Sequence, residues 1–178
     1  KSSEAISKGG IGNHLDKPDN LGKGDSDTEQ TAVELGDKAQ TINFRVTNNG
    51  TEPLSHIKVT DKTIDGKQDV KNIKWVYQGK ALTINKDGEF ELDGKLLELP
   101  VDGYVEATGT LDKLDGGETH ADEATGSGKG AISGKTVGDK DEWYGEKPKA
   151  PDTPKPSLPM TGETKAKFAG LAGLILIA

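Results

Sequence analysis

Apolar and polar residues alternate along two neighbouring stretches in the first half of the chain. Ile42, Phe44 and Val46 are separated by single polar residues, and Ile57 and Val59 repeat the same spacing. Successive side chains of a β-strand point to opposite faces of its sheet, so this period of two directs one apolar face toward a core. The pattern therefore predicts two β-strands, with an Asn-Asn-Gly turn between them.

Short segments of the same kind continue along the chain and are separated by turn residues. They lie at 73–77, in a hairpin over 81–94 with its turn at Asp87-Gly88, and at 97–99, 104–109 and 121–125. Their spacing is typical of a sandwich, and no segment shows the period of an α-helix. We predict an all-β fold, an antiparallel β-sandwich of about seven strands. Gly126-Ser127-Gly128 is interpreted as a flexible turn.

The composition indicates that only part of the chain folds. Hydrophobic residues make up 31% and aromatic residues 4% of 178 residues, with 24 glycines and 8 prolines. We expect roughly 110 to 120 residues to fold. The predicted organisation is a linker or the end of a preceding module at 1–27, the β-sandwich at 28–139, a Pro-rich spacer at 140–157 and a C-terminal signal at 158–178.

Charge and cysteine content exclude several functions. The 23 basic and 30 acidic side chains give a net charge of −7, and the basic residues are dispersed among acids, which argues against nucleic acid as a partner. There is no cysteine, which excludes disulfides, thiol nucleophiles and thiolate metal sites. The chain opens at Lys1 without a signal segment, so we expect a fragment or a processed form.

The C-terminal part has three segments in a distinctive order. Residues 146–157 carry four prolines in twelve residues, which predicts a disordered but extended spacer. Leu-Pro-Met-Thr-Gly follows at 158–162, and the eleven residues 168–178 are uninterrupted and apolar. Eleven residues are too few to span a bilayer, which takes about 20, so we expect a short apolar helix.

This order resembles the cell-wall sorting signal of Gram-positive surface proteins, in which LPxTG lies between a spacer and a hydrophobic segment. The basic tail of that family is missing and the hydrophobic segment is short, so we interpret Ala178 as a truncation. The resemblance implies a recognition site for sortase, a membrane-bound cysteine transpeptidase. That site consists of Leu158, Pro159, Met160, Thr161 and Gly162.

In that family, sortase cleaves between the residues that correspond here to Thr161 and Gly162. The Thr161 carbonyl would form a thioester with the enzyme and then be joined covalently to a peptidoglycan amine. Met160 occupies the position that the motif leaves free. The resemblance implies a secreted protein anchored to the bacterial cell wall, which contacts the membrane only transiently through its C-terminal apolar segment.

A second resemblance covers about residues 30–126. The run 36–61 contains Val-Thr-Asn-Asn-Gly and Val-Thr-Asp, and the segments 104–109 and 120–126 each end in Ala-Thr-Gly. These features are similar to the immunoglobulin-like repeats of bacterial surface proteins, which commonly serve as stalk or spacer modules. The resemblance implies an immunoglobulin-like sandwich, and it implies no ligand site.

The residues give little support to catalysis. His14, His56 and His120 are the only histidines, and none has a second histidine or a carboxylate at helical metal-ligand spacing. No serine lies in a Gly-x-Ser-x-Gly elbow, and the glycines do not form a phosphate loop. We therefore expect neither an enzyme nor a cofactor, and a β-sandwich hydrolase is the least favoured class.

Several weaker alternatives remain open at this point. Two acidic clusters offer oxygen ligands for Ca²⁺ but lack the spacing of a calcium loop, so solvated loops are favoured over metal sites. The clusters are Asp16, Asp19, Asp25 and Asp27, and Asp139, Asp141 and Glu142. The family setting also suggests an intramolecular isopeptide bond. Its candidate lysines are Lys38 and Lys58, and its candidate acceptors are Asn43, Asn48 and Asp122.

Trp143 and Tyr144 form the only aromatic pair outside the predicted strands. They could stack on a carbohydrate, but packing against the end of the sandwich is favoured. Our main hypothesis is a stalk module that sortase displays on the cell wall. The alternative is an adhesin-type module that binds a host protein or glycan through the sandwich, which an exposed apolar or aromatic patch on one sheet would favour.

Overall fold

The computed structural model describes residues 6–7 and 26–154. The sorting motif, the C-terminal apolar segment and most of the predicted N-terminal linker lie outside the described residues. The strands are β1 (Ile6–Ser7), β2 (Val33–Glu34), β3 (Gln40–Asn48), β4 (Leu54–Asp65), β5 (Lys71–Tyr77), β6 (Lys80–Ala81), β7 (Thr83–Ile84), β8 (Phe90–Leu92), β9 (Lys95–Leu96), β10 (Tyr104–Leu111), β11 (Thr119–Gly130) and β12 (Thr136–Glu146).

The strands form two main sheets and one small one. The first sheet has the order β1-β3-β10-β5-β6, the second has the order β2-β12-β11-β4, and β7-β8-β9 form the small sheet. In the immunoglobulin fold, with strands lettered along the chain, one sheet has the order A-B-E-D and the other contains C, F and G. Here β1, β3, β10 and β5 take the places of A, B, E and D, and β4, β11 and β12 take those of C, F and G. The prediction of an all-β, immunoglobulin-like sandwich is confirmed for the described residues, whose only helical element is the 3-10 turn Glu29–Thr31.

Most of the predicted strands are present. The alternating segments correspond to β3, β4, β5, β10 and β11, and the predicted hairpin corresponds to β7 and β8. The strand predicted at 97–99 is not present as such. Instead β9 ends just before it, at Leu96, and Leu99 makes an isolated bridge to Leu54. One pairing is not antiparallel, because β2 runs parallel to β12.

The last two strands of the sandwich each differ from the prediction. β11 includes residues 126–128, so Gly126-Ser127-Gly128 is part of a strand and the prediction of a turn was wrong. β12 ends at Glu146, beyond the boundary set at residue 139, so the first part of the predicted spacer belongs to the fold. The physical reason is that β12 pairs with β11 along its whole length, and this pairing does not require an apolar side chain at every second position.

The core lies between the two main sheets. Phe44, Trp75 and Phe90 form an aromatic cluster, with ring centroids 5.9 Å apart for the first two and 5.2 Å apart for the last two. Buried aliphatic residues belong to the same core: Val46, Ile57, Val105 and Leu111 from the two main sheets, and Leu99 from the segment between β9 and β10. The small sheet supplies Phe90, so it covers an open side of the sandwich.

Strand β1 and the end of strand β12 lie at opposite ends of the sandwich. Ile6 pairs with Asn48 at one end. The 131–135 hairpin loop lies at the same end, since the amide of Ala131 donates a hydrogen bond to the carbonyl of Pro53, which follows Asn48 in the chain. Glu146 pairs with Thr119 at the other end, near the connection from β10 to β11. We call these the entry end and the exit end. In the described part of the chain, no helix is long and apolar enough to cross a membrane.

Candidate functional site

The residues predicted to form the sortase site lie outside the described residues, as does His14. The structure therefore describes the sandwich that precedes the motif in the chain.

His56 and His120 lie in separate environments and form no common site. His56 is on β4 and partly exposed, and its Nδ1 atom lies 2.5 Å from Oε2 of Glu89. The hydrogen bond with His56 lowers the pKa of Glu89 below its usual range, with a smaller effect from the bond donated by Asn85. His56 has a positive φ of 51°, at a bulge where β4 shifts its pairing with β11.

His120 is buried on the face of β11 that is turned toward the other sheet. Its Nε2 atom lies 3.7 Å from Oδ1 of Asp122, which is also fully buried. Within the described residues, neither ring nitrogen of His120 has a hydrogen-bond partner. The imidazole centroid is 6.0 Å from the Trp143 indole, at an interplanar angle of 50°. The two side chains are thus packed in the interior of the sandwich, beside the Trp143 ring.

Trp143 and Tyr144 point to opposite faces of β12. Trp143 is only 9% exposed and belongs to the core cluster, whereas Tyr144 is half-buried. The Tyr144 hydroxyl donates a hydrogen bond to the carboxylate of Glu142, and this bond raises the pKa of Tyr144 to about 12. The structure thus agrees with packing at the sandwich and provides no paired aromatic platform for a sugar ring.

The acidic clusters are divided by the alternation of the strand. Asp139 and Asp141 lie on the inward face of β12, and Glu142 lies on the outward face. Asp16, Asp19 and Asp25 are outside the described residues. Among the residues that are described, no group of three or more histidine, aspartate or glutamate side chains could hold a metal ion.

The isopeptide candidates are also separated. Lys38, Lys58 and Asn43 are exposed, whereas Asn48 and Asp122 are fully buried. Both hydrogen bonds donated by Nδ2 of Asn48 go to main-chain carbonyls, those of Glu52 at 2.8 Å and Leu99 at 3.1 Å. Asn48 thus acts as a structural bridge between loops, and the structure gives it no lysine partner among the described residues.

Glu52 is a structural residue that the sequence did not reveal. Its carboxylate accepts hydrogen bonds from the amides of Ile132 (2.6 Å) and Ser133 (2.9 Å), and a further bond from the Ser133 hydroxyl. These bonds lower the pKa of Glu52, with the Ser133 hydroxyl as the largest contribution. Glu52 and Asn48 together join the three loops at the entry end.

Lys147 fixes the exit end of the sandwich. Its amide donates to the carbonyl of Glu118 (2.9 Å), and its carbonyl accepts from the amide of Gly117 (2.7 Å). Its Nζ atom lies 2.6 Å from Oδ1 of Asp37, and this hydrogen bond lowers the pKa of Asp37. The Pro-rich segment therefore begins from a residue that is held on both its main chain and its side chain.

Comparisons with known proteins show distant similarity of structure only. No family model matches the chain, and no curated protein matches it. Among solved structures, PapD-like domain 7 of human CEP192 is 13% identical, with a TM-score of 0.35, over 67% of this chain and 79% of that chain. AvmM, described as catalysing macrocyclization in alchivemycin A biosynthesis, is 11% identical, with a TM-score of 0.40, over 68% and 86% of the two chains.

A family 123 glycoside hydrolase from Clostridium perfringens is 9% identical, with a TM-score of 0.34, over 67% of this chain and 23% of that chain. These values are too low to carry an argument about function. The order of the strands in the two main sheets, and not these similarities, identifies the immunoglobulin-like sandwich.

Proposed function

We propose that this chain is a bacterial surface protein whose sandwich is a stalk module, displayed covalently on the cell wall after sortase cleaves between Thr161 and Gly162. The observation that carries the proposal is the order of three segments after the fold: a Pro-rich stretch, Leu-Pro-Met-Thr-Gly and an apolar run. The reaction partners are a sortase and a peptidoglycan amine, and the catalytic residues belong to the sortase.

The direction of the chain through the sandwich supports a stalk role. A stalk has to pass the chain from one end of each module to the other, and here β1 pairs with Asn48 at one end whereas β12 ends beside Thr119 at the opposite end. The twelve residues of β11 extend over ~40 Å between these ends, since a strand rises about 3.3 Å per residue. A module of this geometry adds its full length to the distance between wall and tip.

The attachment of Lys147 also supports the proposal. The fourteen residues after Lys147, up to Thr161, include Pro148, Pro151 and further prolines, which favour an extended chain of ~40 Å. A cleavage site so far along the chain from Lys147 is accessible to a large enzyme while the sandwich remains folded. Removal of the signal therefore does not require the fold to open.

A transpeptidation assay tests the proposal directly. The purified chain is incubated with an LPxTG-specific sortase and triglycine, and the products are measured by mass spectrometry. We expect the bond between Thr161 and Gly162 to break, residues 162–178 to be released, and the Thr161 carbonyl to form an amide with the triglycine amine. The Thr161→Ala variant should give no product.

Met160→Ala is the matched control, because residue 160 is the free position of the motif. It should react like the wild type, which separates loss of recognition from a general change in the segment. Cleavage at another bond, or equal product from the wild type and Thr161→Ala, would contradict the proposal. In a Gram-positive host, the corresponding expectation is that wild-type protein is released only by digestion of the wall.

A further inference from the structure

The outward face of the second sheet carries a group of lysine and hydroxyl side chains near the entry end. Lys58 of β4 is paired across the sheet with Ser127, which is paired with Gly138 of β12. In the adjoining row toward the hairpin loop, Lys129 of β11 lies between Ser55 and Thr136. Residues directly opposite each other in an antiparallel sheet share a face, so these groups lie on one surface.

A third row adds hydroxyl groups to this surface. Thr60 pairs with Thr125, and Thr125 pairs with Lys140. We call this surface the lysine–hydroxyl face; it consists of Ser55, Lys58, Thr60, Thr125, Ser127, Lys129, Thr136, Gly138 and Lys140. A shallow trough of about 440 Å³ runs along its β11–β12 side, where Gly138 contributes no side chain. A Cβ atom at that position would lie 2.8 Å from the Gly126 carbonyl oxygen.

The lysines on this face differ in whether a carboxylate lies close to their charge. The Nζ atom of Lys140 lies 3.2 Å from Oε2 of Glu123, which belongs to the next row toward the exit end. Within the described residues, neither Lys58 nor Lys129 has a carboxylate within ion-pair distance, although the field of Lys58 reaches Glu89. From the strand spacing and rise, their Cα atoms are ~8 Å apart. Asp139 also borders the trough, where its carboxylate accepts the Lys140 amide.

We propose that the lysine–hydroxyl face binds an extended anionic polysaccharide. Successive acid groups of the polymer pair with Lys58 and Lys129, and the sugar hydroxyls bond to the serine and threonine side chains beside them. A linear polymer fits because the two lysines are diagonal neighbours on adjacent strands, with Ser127 opposite Lys58, Ser55 opposite Lys129 and the Thr60–Thr125 pair in the next row. A nucleic acid fits less well, because the face offers two unpaired cations and no aromatic ring for base stacking.

This inference concerns the sandwich alone and does not depend on the proposed sorting reaction. Binding of the purified chain to hyaluronate, a linear polymer of carboxylated disaccharides, is measured at about 50 mM salt. Lys58→Glu combined with Lys129→Glu should weaken binding at least about tenfold. The slope of the logarithm of the binding constant against the logarithm of the salt concentration should become shallower by about two, one for each lost cationic contact. Thr60→Val combined with Thr125→Val should weaken it about fivefold, through lost hydrogen bonds.

The matched control is Lys74→Glu with Lys95→Glu, which makes the same change of charge at exposed lysines of β5 and β9. It should reduce binding less than about twofold, because these residues lie outside the proposed surface. All substituted residues are exposed, and thermal unfolding of each variant verifies the fold. Equal weakening by both lysine pairs, equal binding of neutral dextran, tighter binding of an oligonucleotide, or no binding of hyaluronate by the wild type would overturn the inference.

Discussion

The indole ring of Trp143 lies over the backbone of Gly145, two residues further along the same strand. A Cβ atom at residue 145 would be 2.7 Å from Cη2 of Trp143 and 3.1 Å from Cδ1 of Leu35. Gly145 also pairs with His120 across the sheet, so the glycine lets one indole fill the space beside a buried imidazole. The close packing at the exit end depends on the absence of a side chain here.

Gly145→Ala should therefore destabilise the sandwich by about 1–3 kcal/mol, because the added methyl group overpacks a filled interior. Urea unfolding followed by tryptophan fluorescence measures the change. Gly36→Ala is the control, because a Cβ atom there meets nothing within 4 Å. Gly36→Ala should leave stability unchanged or raise it by up to about 1 kcal/mol, through the lower entropy of the unfolded chain. Similar losses in the two variants would contradict this account.

Trp143→Ala should cost about 3–5 kcal/mol, since it removes a large side chain from the core cluster. Tyr144→Phe removes only a hydroxyl on the opposite face and should cost about 1 kcal/mol or less. The measurement is the free energy of unfolding of each variant. A stable Trp143→Ala protein would indicate that the indole is a surface group and would return the carbohydrate-stacking interpretation to consideration.

The alternation of apolar residues predicted most of the sandwich because five of its strands have one face in the core. β12 was missed because its pattern is different: its inward face begins with Val137, Asp139 and Asp141, and only then reaches Trp143. Two carboxylates on the buried side remove the period of two in hydrophobicity. The backbone still forms a strand, because the β11 ladder bonds to every part of it.

The candidate sites were predictable to different degrees. The separation of His56 from His120 could not be read from spacing, because a bulge in β4 and the pairing of distant strands determine it. The structural role of Glu52 gave no local signal, since its partners are eighty residues away along the chain. The lysine–hydroxyl face is equally non-local, because it combines residues from three strands that only the register brings together.

Arg45 joins two strands on the outward face of the first sheet. Its Nη2 atom lies 2.8 Å from Oε1 of Glu106, and its guanidinium carbon lies 4.6 Å from the centre of the Tyr104 ring. Both charged side chains are more than a third exposed, so solvent screens the pair. A double-mutant cycle with Arg45→Ala and Glu106→Ala should give a coupling energy of about 0.2–1 kcal/mol.

The control cycle combines Arg45→Ala with Glu91→Ala, because Glu91 belongs to the small sheet and does not contact Arg45. Its coupling should be close to zero. Replacement of Tyr104 by Leu should lower the cost of Arg45→Ala, because the cation then has no ring to contact. A coupling above about 2 kcal/mol would show that the pair is less screened than its exposure indicates.

Glu52 should make the stability of the entry end depend on pH. Its folded-state pKa is lowered by the bonds from Ser133 and Ile132, so its contribution is present above the ordinary glutamate pKa, about 4.3. That contribution is lost as the pH falls from this value toward the lower pKa of the folded state, because protonation removes the charged acceptor. The unfolding midpoint in urea, measured from pH 7 to pH 3, reports the change.

Glu52→Gln should be less stable than the wild type at pH 7, and the difference between the two should decrease as the pH falls below about 4. The amide keeps the shape of the carboxylate but offers one acceptor oxygen to three donors. Glu98→Gln is the control, because Glu98 is exposed and adjacent to buried Leu99 without bonding to the 131–135 loop. Its midpoint should follow the wild type at every pH. If the difference between Glu52→Gln and the wild type were constant from pH 7 to pH 3, the hydrogen bonds of Glu52 would not be the source of the pH dependence.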